Sequence, residues 1–412
     1  MKVLMITLGS GDRGQGEPVD ASRRLSRALL EFSGGEVTDV VELSATDLAM
    51  HGGSPVARRG DGVFVVGGGH SDALRLISHR SSWANRSLSE WLVAVAPDVV
   101  HFHDLAGVGA DLVPLIRRAV PRAVMVLTAH DLLLACANSG TLVRASGQLC
   151  DARSSLECAD CVAVQPVDIM LRDDFFRRLV GLFDVLLAPT TFAAERLSSW
   201  LGGRVVQVVR DCPVSEPGQS PRVIATGEGR CRIGFFGDLA PEGGLHVLLD
   251  ALIELKGLDG HPVELEVFGS ADDDAYWEDE IVPRFEELAG GSIRATYSGV
   301  FRPDDASAVM AMVDWVAIPT LGWEASPDVL MSALATGRPS LAGNVGGMRE
   351  ILDLTGAGRS VAVGSIGQWM DALVWATDPD NVPAWDEFHD MAVVPWSVRD
   401  VVDQHVTRYW GG

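Results

Sequence analysis

Basic residues are scarce in this chain. Lys and Arg number 33 against 56 Asp and Glu, a formal net charge of −23 over 412 residues. So acidic a surface repels phosphate backbones and anionic lipid, which excludes nucleic acid and membrane surface as general partners. No apolar stretch approaches the ~20 residues that a membrane-spanning helix needs, and no low-complexity segment or sequence repeat is evident. The N-terminus, MKVLMITLGSG, holds one Lys and an apolar run that breaks at Gly9. That run is too short for a secretory leader and reads as a first strand. A soluble, cytoplasmic protein is expected, with its six cysteines reduced or metal-bound rather than paired.

What is present is a globular composition, 47% hydrophobic and 22% charged. A chain of 412 residues exceeds what one core fills, so two domains are expected. Short apolar runs recur at Val3–Leu8, Val37–Leu43, Val63–Val66, Val99–His103, Val124–Leu127, Phe183–Ala188 and Val205–Val209. Between them, Ala21–Glu31, Leu74–Val95, Leu171–Leu182 and Phe192–Leu201 have helical periodicity. Strands alternating with helices imply a parallel, doubly wound α/β sheet. Arg210–Arg230 is rich in Pro, Ser and Gly and reads as a linker. The pattern then restarts at Arg232–Phe236 and continues through Leu245–Leu255, Leu265–Phe268 and Ala295–Val300. A final amphipathic helix is expected over Trp396–Trp410, with Val398, Val401, Val402, His405 and Val406 on one stripe.

The second half is organised around Asp314–Leu352. Trp315–Pro319 has strand length, and after a polar turn Ser326–Pro327 opens a helix. Ser suits the N-cap and proline the first helical position. Val329, Leu330, Ala333 and Leu334 keep helical spacing until Gly337 and Pro339 end it. Pro339–Ala342 leads on into Gly346-Gly347 and a helix carrying Glu350. Glu324 therefore sits on a turn at the carboxyl end of a parallel strand, where open α/β sheets bind ligands. A helix N-terminus there offers free N–H groups to a phosphate.

Other motifs compete for meaning. Gly9-Ser10-Gly11-Asp12-Arg13-Gly14 is a literal G-x-G-x-x-G. The loop runs on through Gly16 and Pro18, so Gly14 does not open the helix as a dinucleotide fingerprint requires. Two strands end in His101/His103–Asp104 and His130–Asp131. A strand-end histidine serves either as a hydrogen-bonded structural residue or as an acid–base group. Cys136, Cys150, Cys158 and Cys161 include a C-x-x-C spacing that suits a closed tetrahedral zinc site. Ordinary reduced thiols, or a strained disulfide, are the alternatives.

The sequence of strand ending in Pro319, Glu324, one helix, Gly337-x-Pro339, strand and Gly346-Gly347-x-x-Glu350 resembles the retaining family-four glycosyltransferases. The likeness extends over nearly the whole chain. It implies a GT-B fold of two doubly wound, Rossmann-like domains with a C-terminal helix returning to the first. Residues 1–212 would form the acceptor domain with a Cys-rich insert at 136–161, and 213–230 the linker. Residues 231–390 would form the nucleotide-sugar domain, and 391–412 the returning helix. The activity implied is retaining transfer from a nucleotide sugar to a small-molecule or glycan acceptor, assembled by domain closure and with no metal or other cofactor at the chemical step. A structural zinc is the one metal expected. Glu324 and His130 would be catalytic and His103 would face the acceptor. Donor contacts would fall on Gly14, Gly16, Gly237, Asp238, Gly243, Arg302, Ser326, Pro327, Asp328 and Ser332.

Four of these positions depart from the family pattern. Asp238 and Gly243 stand where Arg and Lys clamp the donor diphosphate, Ser332 where a second Glu meets the ribose, and Pro327 removes an amide. Arg302 is the nearby cation that replaces the lost pair or simply faces solvent. The departures keep alive a different reading, a catalytically silent GT-B protein that activates a partner enzyme. A nucleotide-sugar epimerase would need further acidic residues that the sequence does not place. Asp272-Asp273-Asp274 reads as a solvated loop.

Overall fold

Short runs of Val, Ile, Leu and Phe build two separate parallel sheets. The computed structural model of the chain describes residues 1–8, 17–46, 55–58, 60, 62–67, 72–78, 80–212, 230–258, 260–271, 273–301 and 305–411. It divides into one unit of Met1–Cys212 with Trp396–Gly412 and a second of Pro213–Pro395. The glycine-rich first loop and nearly all of the expected linker lie outside the described residues.

In unit 1 the strands are β1 (Lys2–Leu8), β2 (Asp39–Thr46), β3 (Val56–Arg58), β4 (Val63–Gly67), β5 (Val99–Phe102), β6 (Val124–Thr128), β7 (Val185–Ala188) and β8 (Gln207–Val208). They lie in the order β3-β4-β2-β1-β5-β6-β7-β8. β3 is antiparallel to β4 and the other pairs are parallel. The helices are α1 (Glu17–Phe32), α2 (Ser82–Val95), α3 (Leu112–Ala119), α4 (Ser155–Cys161), α5 (Pro166–Val180) and α6 (Thr191–Trp200). Every residue of β5 and β7 is buried, as in strands covered on both faces by crossover helices. The long helix expected over Leu74–Val95 is confined to α2. Ser81 caps it by accepting the Ala84 N–H at 3.2 Å, and ahead of it Asp72 and Ile77 close an antiparallel bridge.

In unit 2 the strands are β9 (Cys231–Phe236), β10 (Val263–Phe268), β11 (Ile293–Gly299), β12 (Trp315–Ile318), β13 (Ser340–Gly343) and β14 (Gly358–Val361). All run parallel, in the order β11-β10-β9-β12-β13-β14. The helices are α7 (Leu245–Leu255), α8 (Asp274–Tyr276), α9 (Val282–Glu287), α10 (Ala306–Met310), α11 (Asp328–Ala335), α12 (Gly346–Thr355), α13 (Ile366–Thr377) and α14 (Val382–Met391). Trp315, Trp369 and Trp385 join Ile233, Leu248 and Leu265 in one core. Helix α14 was not anticipated. It buries Trp385, whose Nε1 donates to the Asp314 carbonyl at 2.8 Å.

The last helix, α15 (Val398–Gly411), belongs to unit 1. Val401, Val402 and Tyr409 enter the core of Val3, Met5, Leu25 and Leu29. Trp396, just before it, donates its Nε1–H to the Asp211 carbonyl at 3.0 Å.

Candidate active-site residues

The carboxyl ends of β5 and β6 bring two histidines together in unit 1. His103 Nδ1 lies 3.0 Å from His130 Nε2, with the rings stacked at an 18° interplanar angle. Both residues are buried, and with Asp104 and Asp131 they line a recess of about 310 Å³. Asp104 turns both oxygens to the Ala106 and Gly107 N–H groups at 2.8 Å, and Asp131 accepts from the Leu133 N–H at 2.8 Å. Burial raises the Asp104 carboxyl, against those amides. Burial also pushes the Asp131 carboxyl up to about 6, with Asp104 adding to it. Asp131 keeps one side open to water, which offsets part of that rise.

His101, two residues before His103 on the same strand face, has both nitrogens engaged. Nδ1 lies 2.8 Å from Tyr409 Oη and Nε2 2.7 Å from Thr128 Oγ1. It is the structural histidine of the pair. Burial, then the neighbouring imidazoles, holds His101 and His103 well below the usual histidine range. Burial takes His405 on α15 down to about 4. Neither Asp211, whose Oδ1 lies 3.7 Å from His130 Nδ1, nor the Tyr409 contact was foreseen. Both arrive from segments far along the chain and carry no local signal.

In unit 2 the candidate turn follows β12. Thr320 Oγ1 donates to Glu324 Oε1 at 2.9 Å, and the Gly347 N–H at the start of α12 donates to the Glu324 carbonyl at 2.7 Å. The second bond ties the Glu324 turn to the Gly346-Gly347 helix start. Burial raises the Glu324 carboxyl; the Thr320 hydroxyl opposes this and the charge of Asp328 adds to it. Ser326 is buried and Asp328 occupies the first turn of α11. Pro327 is not the first helical residue as expected but the N-cap, with φ −90° and ψ 67°. Its fixed ring suits this position, and the helix begins one residue later. Ser332 lies half-buried farther along α11.

β9 neighbours β12 in the sheet, so the loop Gly237–Gly244 lies against the same turn: the Leu321 N–H donates to the Glu242 carbonyl at 2.8 Å. Gly244 allows that approach, and Gly269 lets the end of β10 come close to the start of the same loop. A Cβ on Gly244 would stand 2.1 Å from the Pro319 carbonyl oxygen, and one on Gly269 1.7 Å from that of Gly237. Gly243, in the place of the expected Lys, is also tight, since a Cβ there would meet the Asp238 carbonyl at 3.0 Å. Asp238 is exposed and accepts from Ser270 Oγ at 3.2 Å. Gly14, Gly16 and Arg302 lie outside the described residues.

The four cysteines do share one place, a recess of about 360 Å³ lined also by Arg144 and Glu157. As they stand, they do not form the closed tetrahedral site that the spacing suggests. Among the described residues no three His, Cys, Asp or Glu side chains converge as a metal site. Cys136, Cys150 and Cys161 instead donate to the carbonyls of Asn138, Ala152 and Val143 at 3.6, 3.1 and 3.7 Å. A thiol that keeps its proton finds these carbonyls the nearest acceptors, so spacing alone overstated how far the site is preformed. All six cysteines are free, which removes the disulfide alternative.

Two Rossmann-like sheets, with the C-terminal helix built into the first unit, define the GT-B fold of glycosyltransferases. More particularly, residues 230–378 match the family model described as glycosyl transferases group 1. Among solved structures, sucrose-phosphate synthase from Thermosynechococcus elongatus is similar with a TM-score of 0.67 at 12% identity, covering 100% of this chain and 99% of that one. HepE of Anabaena in complex with UDP and glucose gives 0.64 at 15% identity, covering 99% and 98%. The catalytic domain of starch synthase IV from Arabidopsis thaliana, bound to ADP and acarbose, gives 0.65 at 14%, covering 100% and 99%. At such identities the likeness shows the fold. No curated protein matches the sequence. No helix among the described residues is long and apolar enough to cross a membrane.

Proposed function

We propose that the chain is a retaining glycosyltransferase that moves a sugar, most simply a hexosyl group, from a nucleotide sugar to a hydroxyl of a small-molecule or glycan acceptor. The observation that carries this reading is the Glu324 turn, held by Thr320 and by the Gly347 N–H within the residues that match the group 1 glycosyl transferases. UDP, UDP-glucose and ADP in the structures of HepE and starch synthase IV supply the class of donor. Unit 2 would be the nucleotide-sugar domain, its diphosphate resting on backbone N–H groups at the starts of α11 and α12 and on the Gly237–Gly244 loop. Unit 1 would be the acceptor domain.

In the step itself, the bond between the anomeric carbon and the diphosphate oxygen breaks and its electron pair leaves with the diphosphate. The acceptor oxygen forms the new bond on the same face and its proton passes to the leaving phosphate. Glu324 would hold the sugar hydroxyls, and His130 would steady the charge that develops on the ring. The reading assigns no metal to this step. It places the protein in the cytoplasm, where thiols stay reduced.

The test is hydrolysis and transfer across a panel of nucleotide sugars. Glu324→Gln and His130→Ala should each cut transfer ~10²-fold or more while leaving the fold intact. Wild-type-like turnover in both would move the site elsewhere. Failure of the wild type to bind any nucleotide would favour the silent-partner reading, to which Asp238 and the tight Gly243 lend support.

For the cysteine recess the reading includes a structural zinc, supported by four thiols that line one space, two from a segment of turns and two from α4. Binding would draw the sulfurs off their carbonyl partners. Metal-washed protein should then hold about one zinc per chain, and Cys158→Ser should lower both metal content and stability. A zinc-free preparation of equal stability would end this part of the proposal.

A further inference from the structure

Two histidines at 3.0 Å share one proton between the facing nitrogens, so one ring donates and the other accepts. The far side of His130 biases which ring donates. There Asp211 Oδ1 lies 3.7 Å from His130 Nδ1, beyond direct hydrogen-bond range, and the charge of a carboxylate that close favours a proton on the nitrogen it faces. His130 then presents a lone pair at Nε2, and His103 must donate from Nδ1. The remaining nitrogen, His103 Nε2, is left without a proton.

That nitrogen is buried with no hydrogen-bond partner, on a residue 3% exposed whose ring lines the 310 Å³ recess. The surrounding groups have other commitments. Asp104 and Asp131 point oxygens at backbone amides, and both nitrogens of His101, whose tilted ring lies 4.2 Å from that of His103, are engaged. A buried lone pair with no donor costs free energy unless a ligand supplies one. Asp211 itself is held in place, since its carbonyl accepts from Trp396 Nε1.

We propose that Asp211, His130 and His103 form a tautomer relay that presents the unprotonated Nε2 of His103 to the recess, where it accepts the hydrogen of a sugar or polyol hydroxyl. The relay itself stands on unit 1 alone, whereas the hydroxyl-bearing ligand rests on the glycosyltransferase reading. His103 is thus the contact residue and Asp211 a positioning residue that acts through His130.

The two parts are tested separately. Nitrogen-15 imidazole spectra of the full-length protein read the tautomer directly, the His103 signals being assigned by their loss in His103→Gln. The expected result is a proton on Nδ1 and a bare Nε2, with Asp211→Asn moving His103 Nε2 toward the protonated range. A wild-type His103 protonated at Nε2 would overturn the relay, and so would an Asp211→Asn spectrum identical to wild type. For the ligand, His103→Asn keeps a donor toward His130 but loses the recess-facing nitrogen. With whichever nucleotide sugar the panel identifies and methyl α-glucoside as acceptor, it should raise the acceptor KM about 10-fold and leave the donor KM unchanged. Equal effects on both would overturn the hydroxyl contact. If no transfer occurs at all, the glycosyltransferase reading fails while the spectra still decide the relay.

Discussion

The two units place their candidate site residues at the same point of the same architecture and use different materials for it. Unit 1 ends its central strands in buried imidazoles at a recess, whereas unit 2 ends them in one carboxylate and closely approaching glycine backbone. The difference teaches where each unit is vulnerable. Charge state governs the first, and main-chain space governs the second.

The largest effect that should sharpen this contrast is acid sensitivity. The His405 ring sits at about 4 when folded against an ordinary 6.5, so the unfolded chain takes up the proton first as pH falls. Its contribution is complete above 6.5 and is lost on the way down to about 4, at about 1.4 kcal/mol per pH unit and about 3 kcal/mol in all. His101 and His103 are shifted in the same direction by the same cause. Unit 2 has a weaker counterpart in half-buried His246. Native-state hydrogen exchange at pH 7.5 and 5 should show amides of β5 and β6 losing protection while those of β9 and β12 keep theirs. Equal losses in both sheets would break the comparison.

A smaller effect concerns space. Gly244 and Gly203 have similar φ, +73° and +80°, but an added Cβ at Gly203 meets nothing within 4 Å. Gly203→Ala should cost ~1–2 kcal/mol of backbone strain. Gly244→Ala should cost about 3 kcal/mol, because the Pro319 carbonyl must also move. Urea denaturation of the two variants measures the gap, and equal costs would show that the loop yields freely.

The smallest effect concerns Asp238. Exchanging this exposed carboxylate for arginine changes the local charge by two units, and exposed pairs are worth ~1 kcal/mol or less. Asp238→Arg should tighten a nucleoside diphosphate by about 5-fold at low salt, fading as ionic strength rises. Calorimetric titration at two salt concentrations checks this, and unchanged affinity would place the diphosphate away from the loop.

Much of this architecture was legible because parallel strands announce themselves as apolar runs, and their ends fall where His103, His130 and Glu324 were expected. Short or polar elements escaped. Strand β3 has three residues, and α14 opens with Val382-Pro383 among charged neighbours, so neither carries a clear period. The second half of each site was also hidden. Thr320 precedes Glu324 on an irregular turn, where no spacing rule predicts a contact. Asp211 and Tyr409 reach the histidines only through the closed fold. The cysteine spacing indicated a shared place correctly, but could not show that the thiols face carbonyls.

The return of α15 to unit 1 has a consequence in time. Tyr409 and Trp396 complete contacts around His101 and Asp211, yet the ribosome delivers them only after all of Pro213–Pro395. At ordinary synthesis rates those roughly 180 residues take on the order of 10–40 s. Throughout that interval the first sheet waits with an apolar strip open and its histidine recess unbraced, while the second unit, whose residues are contiguous, is free to finish first. The domain that begins the chain is therefore expected to be the last to mature, and a ribosome stalled before residue 396 would display a finished second unit behind an unfinished first.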